Sequence, residues 1–145
     1  MAPPQPQNRD NHVRYHPPYH FFFLPAILLL LLISLYEAIR NPGLASAAQV
    51  LLVLVVGTVG FLARTYALKV QDRVIRLEEQ LRLSGLLGEE YRPTIHKLTE
   101  AQLIALRFAS DGEVTSLAKR AAREQLSPQL IKEEIKNWRA DHWRV

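Results

Sequence analysis

Two stretches of this chain carry no charge at all. None of its 32 Lys, Arg, Asp and Glu residues falls within residues 21–36 or 41–63, runs of 16 and 23 residues. A chain of 145 residues has too little other material to hide both runs in a soluble core. Apolar runs of this length match a bilayer core of about 30 Å. The mean hydropathy of −0.04 conceals the pattern, because residues 64–145 hold 27 of the charges, 15 basic and 12 acidic. The expected fold class is therefore all-α: a two-helix transmembrane hairpin followed by a charged helical appendage.

The first span is expected over 19–39, roughly 31 Å of helix at about 1.5 Å per residue. Pro25 lies in its first turns, where a missing N–H costs least. The second span, 44–63, has a different texture, with Gly57, Gly60 and Ala63 at helix-face spacing. Small residues let a neighbouring backbone approach closely in lipid. The leucines of span one are the simplest partner, a second copy of the hairpin another. Arg40-Asn41-Pro42-Gly43 is a breaker cluster, so 40–43 reads as a short extracytoplasmic turn.

Orientation follows from the basic residues. The turn offers only Arg40, and Glu37 can pair with it. Arg64, Lys69, Arg73, Arg76 and Arg82 follow span two, and Arg9 and Arg14 precede span one. Both termini are expected in the cytoplasm, with Tyr15, Tyr19, Tyr36 and Tyr66 at the interfaces. Ala45-Ser46-Ala47 resembles the end of a secretory signal, but cleavage there would leave a product starting inside the second apolar run. The hairpin is expected to stay intact.

Residues 1–18 contain five of the nine prolines and read as an extended or disordered cytoplasmic arm. His12, His16 and His20 are spaced by four, as metal ligands on a helix would be. Pro17 and Pro18 interrupt that helix, so solvated histidines at a membrane edge are the expected reading. Beyond span two, residues 64–85 read as a juxtamembrane stalk helix ending at Gly85. Val70, Val74, Leu77 and Leu81 form a narrow apolar seam along it. Asp72 with Arg76, and Glu78 with Arg82, are expected i,i+4 pairs. The seam needs a partner: the C-terminal helices, a second copy, or a different protein.

The remaining unit, 94–145, reads as about three short helices packed on the stalk. Thr99 and Gln102 make a capping box flanked by a Leu98/Leu103 staple. That helix is expected to run to about Ala109, with Ser110-Asp111-Gly112 ending it. A second helix, 113–125, should bury Val114, Leu117 and Ala121. Ser127-Pro128 opens a third, which should turn Leu130, Ile131, Ile135 and Trp138 inward. Trp138, Arg139, Trp143 and Arg144 crowd the C-terminus, and such residues are common interface anchors.

Catalytic constellations are hard to find. Without Cys, thiol chemistry, Cys-ligated zinc and iron–sulfur clusters are excluded. No Gly-rich phosphate loop occurs. No His lies in either apolar run to ligate a haem, and no acid or base crosses the membrane centre. Glu78-Glu79, Glu89-Glu90 and Glu133-Glu134 read as solvated helix faces. No cofactor or metal is expected. Nucleic acid is not an expected partner, because the basic residues are interleaved with acids and densest beside the membrane.

Three segments carry a family resemblance: Arg64-Thr65-Tyr66-Ala67-Leu68-Lys69-Val70-Gln71-Asp72-Arg73 with its continuation to Glu79, Leu103-Ile104-Ala105-Leu106-Arg107-Phe108-Ala109-Ser110-Asp111, and Ile135-Lys136-Asn137-Trp138-Arg139. With the start near residues 8–12, they resemble a bacterial family of short two-pass membrane proteins known only as a domain of unknown function. The resemblance implies a bacterial inner-membrane protein and transfers no catalytic residue. The expected function is a non-enzymatic accessory or adaptor subunit of a larger membrane complex. Alternatives are a small subunit of an energy-converting complex, respiratory or photosynthetic; a membrane-tethered enzyme or ligand-binding protein using Arg107, His96 and nearby acids; and a hairpin that self-associates through Gly57 and Gly60.

Overall fold

In the computed structural model, which describes Gln7, Asn8, Asn11 and residues 15–141, the two charge-free runs are helices joined by a tight turn. Helix α1 (Leu24–Arg40) is preceded by a π-helical turn, Pro18–Phe23. Pro25 has no N–H for the carbonyl four residues back, so the ladder is offset just ahead of it. Helix α2 (Leu44–Leu87) is continuous over 44 residues. In the turn, the Ser46 hydroxyl donates to the Asn41 carbonyl at 2.9 Å and accepts the Gly43 N–H at 3.1 Å. Glu37, expected to face Arg40, instead accepts the Asn41 side-chain amide at 3.1 Å.

Two helical segments, Pro18–Arg40 and Leu44–Leu87, are long and apolar enough to cross a membrane. Only 6% and 0% of their most apolar windows are buried. A core helix of a soluble protein would turn such residues inward. The chain forms two compact units, residues 15–68 and residues 69–141 together with Gln7, Asn8 and Asn11.

The second unit is a helical head built on the last turns of α2. The helix passes through Gly85 and stops at Gly88, whose φ of 81° and ψ of 169° suit only glycine. Sequence reasoning placed the stop at Gly85, but with no positive φ demanded there the helix simply continues. A 3₁₀ turn (Glu89–Tyr91) leads into α3 (Arg92–Lys97), so Pro93 opens a helix instead of belonging to a loop. Among the described residues four short helices follow the stalk, where about three were expected.

Helix α4 (Glu100–Leu106) carries the expected Thr99/Gln102 capping box. The buried Gln102 amide also donates to the carbonyls of Ala121 and Leu126, at 3.2 and 2.9 Å. Helix α4 ends at Leu106, short of Ala109. Ser110-Asp111-Gly112 does not end it but starts the next helix, α5 (Asp111–Glu124), with Asp111 favourably placed in the first turn. Ser127 caps α6 (Pro128–Glu134) as expected, its hydroxyl accepting the Leu130 N–H. Leu130 itself is exposed, and Trp138 reaches the core from an extended segment beyond α6.

The core gathers Leu83 and Leu87 of α2 with Ile95, Leu98, Leu103, Leu106, Phe108, Val114, Leu117, Ala118, Ala121, Ile131 and Ile135. The stalk is thus one wall of the head, which is why such short helices hold together. Replacing Gly88 by Ala forces a side chain into a glycine-only conformation, 2.8 Å from the Glu90 carboxylate. Gly88→Ala should cost about 1–3 kcal/mol, whereas Gly85→Ala, in open helical space, should add about 0.5–1 kcal/mol. Thermal unfolding of both variants in detergent checks this; equal effects would mean that α2 does not stop at Gly88.

Candidate interaction surface and charged cavity

The small residues of the hairpin are used within it. A Cβ on Gly57 would come 3.3 Å from Ile27, and one on Gly60 would overlap the Phe23 ring. Span one does fill the groove, though with Ile27 and Phe23 where leucines were expected. Ala63 is exposed. A shallow apolar groove of about 550 Å³ runs along the same hairpin, lined by residues such as Leu28, Leu31, Leu54 and Phe61. At the other end of span one Tyr19 stacks on Phe23, and Arg64 lies over the Tyr19 ring at 5.8 Å. Tyr15 and Tyr66 are exposed.

The His20 ring is held by the His16 backbone and by two aromatic rings. The His20 Nδ1 accepts the His16 N–H at 3.0 Å, and Tyr15 and Tyr19 meet the His20 ring edge-on. His12 lies outside the described residues. Among those described, no group of three His, Cys, Asp or Glu residues could hold a metal.

Within the head, the buried face of α2 is the line Ile75, Glu79, Leu83, Leu87. A carboxylate therefore sits in an otherwise apolar row, 4% exposed. Glu79 was expected on a solvated face; the four-residue spacing of its neighbours is the signal that places it inside. Arg82 donates to it at 3.0 Å and Arg139 at 3.5 Å. Burial pushes the Glu79 carboxyl above its ordinary range, and the guanidinium of Arg82, then that of Arg139, offset part of the rise.

These side chains line a cavity of about 610 Å³ with Ile75, Glu78, Arg107, Asp111, Ala140 and Asp141. Each of its guanidinium groups meets a carboxylate. Arg82 also donates to Asp111 at 2.6 and 2.8 Å and to the Ala109 carbonyl at 2.7 Å. Arg107 donates to Asp141 at 2.9 Å and to the Ile104 carbonyl, and lies over the Phe108 ring at 4.0 Å. Arg107 thus joins several acids in a concave site, but His96 does not. It lines a separate groove of about 250 Å³ between α2 and α3, beside Leu77 and Leu81.

The same cluster fastens the C-terminal segment. The Arg139 N–H donates to the Phe108 carbonyl at 2.7 Å, and Ser110 N–H to Asn137 at 3.1 Å. Glu113 accepts the N–H groups of Asn137 and Lys136 at 3.0 and 3.3 Å. Trp138 packs on Phe108 with ring centroids 4.8 Å apart. Trp138 and Arg139 therefore serve the head's own packing. Trp143 and Arg144 lie outside the described residues.

The expected i,i+4 pairs give way to an i,i+3 pair and two long-range ones. Arg82 turns to Glu79 and Asp111 in place of Glu78, and Arg76 lies 3.8 Å from Glu100 of α4. The seam itself is left open. Val70, Val74, Leu77 and Leu81 are 61%, 47%, 55% and 74% exposed, so the C-terminal helices do not cover it. Arg73 and Glu78 flank it, both exposed; Lys69 is exposed as well.

The whole chain, residues 1–145, matches the Family of unknown function (DUF6526). The chain belongs to that family. No curated protein and no solved structure matches it.

The raised Glu79 pKa has a consequence for stability. An acid whose folded pKa exceeds its unfolded value gains stability as pH falls through the folded value. The head should therefore be stabilised by Glu79 protonation as pH drops from 7 toward 4.5, and Glu79→Gln should lose that increment. Denaturation of both proteins across this range would show their stability difference shifting toward the wild type at low pH; parallel profiles would show that folding does not raise the Glu79 pKa.

Proposed function

We propose that this protein is a non-enzymatic integral membrane adaptor of the bacterial cytoplasmic membrane. Its two spans anchor a cytoplasmic helical head that joins a larger membrane complex, and the stalk seam is a protein-contact surface. The observation that carries the reading is the seam itself: four large apolar side chains in register on one helix, open to solvent after the head has folded. Contiguous exposed apolar surface of this kind marks interaction sites. The outward-facing apolar windows of both hairpin helices support the anchor. The basic residues from Arg64 to Arg82 support cytoplasmic placement of the head. The charged cavity favours a structural role, because its guanidinium groups are committed to carboxylates that tie α5 and the C-terminal segment to the rest of the head.

A photo-crosslinking side chain in place of Leu77 or Leu81, in the full chain in its native membrane, should give polypeptide adducts. The same probe at the buried Leu83 should give none. A seam that yields no polypeptide adduct sinks the adaptor reading. Reporter fusions at Pro42 and Val145 should lie on opposite sides of the membrane; signals from one side would overturn the hairpin topology.

A further inference from the structure

The seam has the geometry of a two-stranded coiled coil. Val70, Val74, Leu77 and Leu81 follow one another at intervals of four, three and four, which assigns Val74 and Leu81 to the a positions and Val70 and Leu77 to the d positions of a heptad. In this register the head docks on the far side of α2, through Ile75, Glu79 and Leu83 at positions b, f and c. Over residues 70–81 none of the a, d, e and g positions that a coiled-coil partner needs is buried in the core, and Leu77, Gln80 and Leu81 border the groove against α3.

The flanking charges choose the partner. Arg73 falls at g and Glu78 at the following e. In a parallel pair, the g residue of one helix faces the next e residue of its neighbour. Two identical parallel stalks therefore bring Arg73 against Glu78 twice, once on each side of the seam. An antiparallel pair on the same seam would set Arg73 beside Gln80 and Glu78 beside Gln71, and would gain neither ion pair. Neither residue makes an ion pair within the head among the described residues, so both are available. Gln80, the next g residue, is uncharged and faces Gly85.

We infer that the seam binds a second copy of this chain, in parallel, as a short homodimeric coiled coil stitched by two Arg73–Glu78 pairs. The inference rests on the reading of the seam as a protein-contact surface and names the partner. Two heptads are marginal in free solution. Anchoring both copies in one bilayer raises their effective concentration and gives both stalks the same chain direction. The adaptor then presents two heads on one stalk.

The chain contains no Cys, so each introduced Cys reports on its own position. Single Cys replacements in the full-length protein, oxidised in membranes and run on denaturing gels, should give disulfide dimers at Val74→Cys, Leu77→Cys and Leu81→Cys. Asp72→Cys and Arg76→Cys, pointing away from the seam, should give few. On the Leu77→Cys background, Arg73→Glu or Glu78→Arg alone should reduce the dimer several-fold, and the double exchange should restore it. Cross-linking of equal strength at Asp72 and Arg76 would reveal random collision and overturn the inference, as would charge exchanges without effect. Seam photo-adducts to a different polypeptide with no disulfide dimer would remove the homodimer and leave the adaptor. Neither product would remove both.

Discussion

The head is organised around one carboxylate on the buried face of its longest helix. Placing Glu79 among Ile75, Leu83 and Leu87 carries a desolvation cost that an apolar residue would not have. That cost is offset only where cations are brought to it. Arg82 comes from the next turn of the same helix, and Arg139 from the far end of the chain. Arg82 in turn reaches Asp111 and the Ala109 carbonyl, at the junction of α4 and α5. Three segments distant in sequence thus meet at one charge.

This arrangement divides the labour of α2 between its two faces. The inner face carries a buried carboxylate paired with Arg82 and Arg139. The outer face is plain, carrying Val and Leu with charges at its margins. A helix that buried both faces in the head would be a core helix with nothing left to offer. The short helices of the head cover the Ile75, Glu79, Leu83 and Leu87 face of α2 and leave the Val70, Val74, Leu77 and Leu81 stripe open.

What was legible in the sequence was what local chemistry decides. The charge-free runs gave the hairpin; Thr99 with Gln102, and Ser127 with Pro128, gave two helix starts within a residue. Where a residue's role depends on distant partners, sequence reasoning went astray. Ser110-Asp111-Gly112 has the composition of a break, yet Asp111 is anchored by Arg82 and begins α5. Trp138 has the spacing of a helix face, yet Ile135 leaves the helix and an antiparallel bridge to Ala109 delivers the ring to Phe108. Both stripes of α2 have helical period. Pattern alone singled out the all-apolar one as the stripe in need of a partner, whereas the one buried in the head contains the acid.

That choice has a physical basis. A purely apolar row with a four-residue repeat packs almost as well one turn up or down, because each Leu or Val finds a similar hole. A single buried carboxylate breaks the degeneracy. Shifted by a turn, Glu79 would lose Arg139 and be left partly unpaired in an apolar wall, which is far costlier than any gain from sliding. The head therefore uses its polar residue to set register on the face where register must be unique. The seam needs no such lock inside it, since its register against a neighbour is set from the margins by Arg73 and Glu78. A buried acid on the outer face would demand a cation from every partner, whereas a marginal pair discriminates among partners at little cost in desolvation.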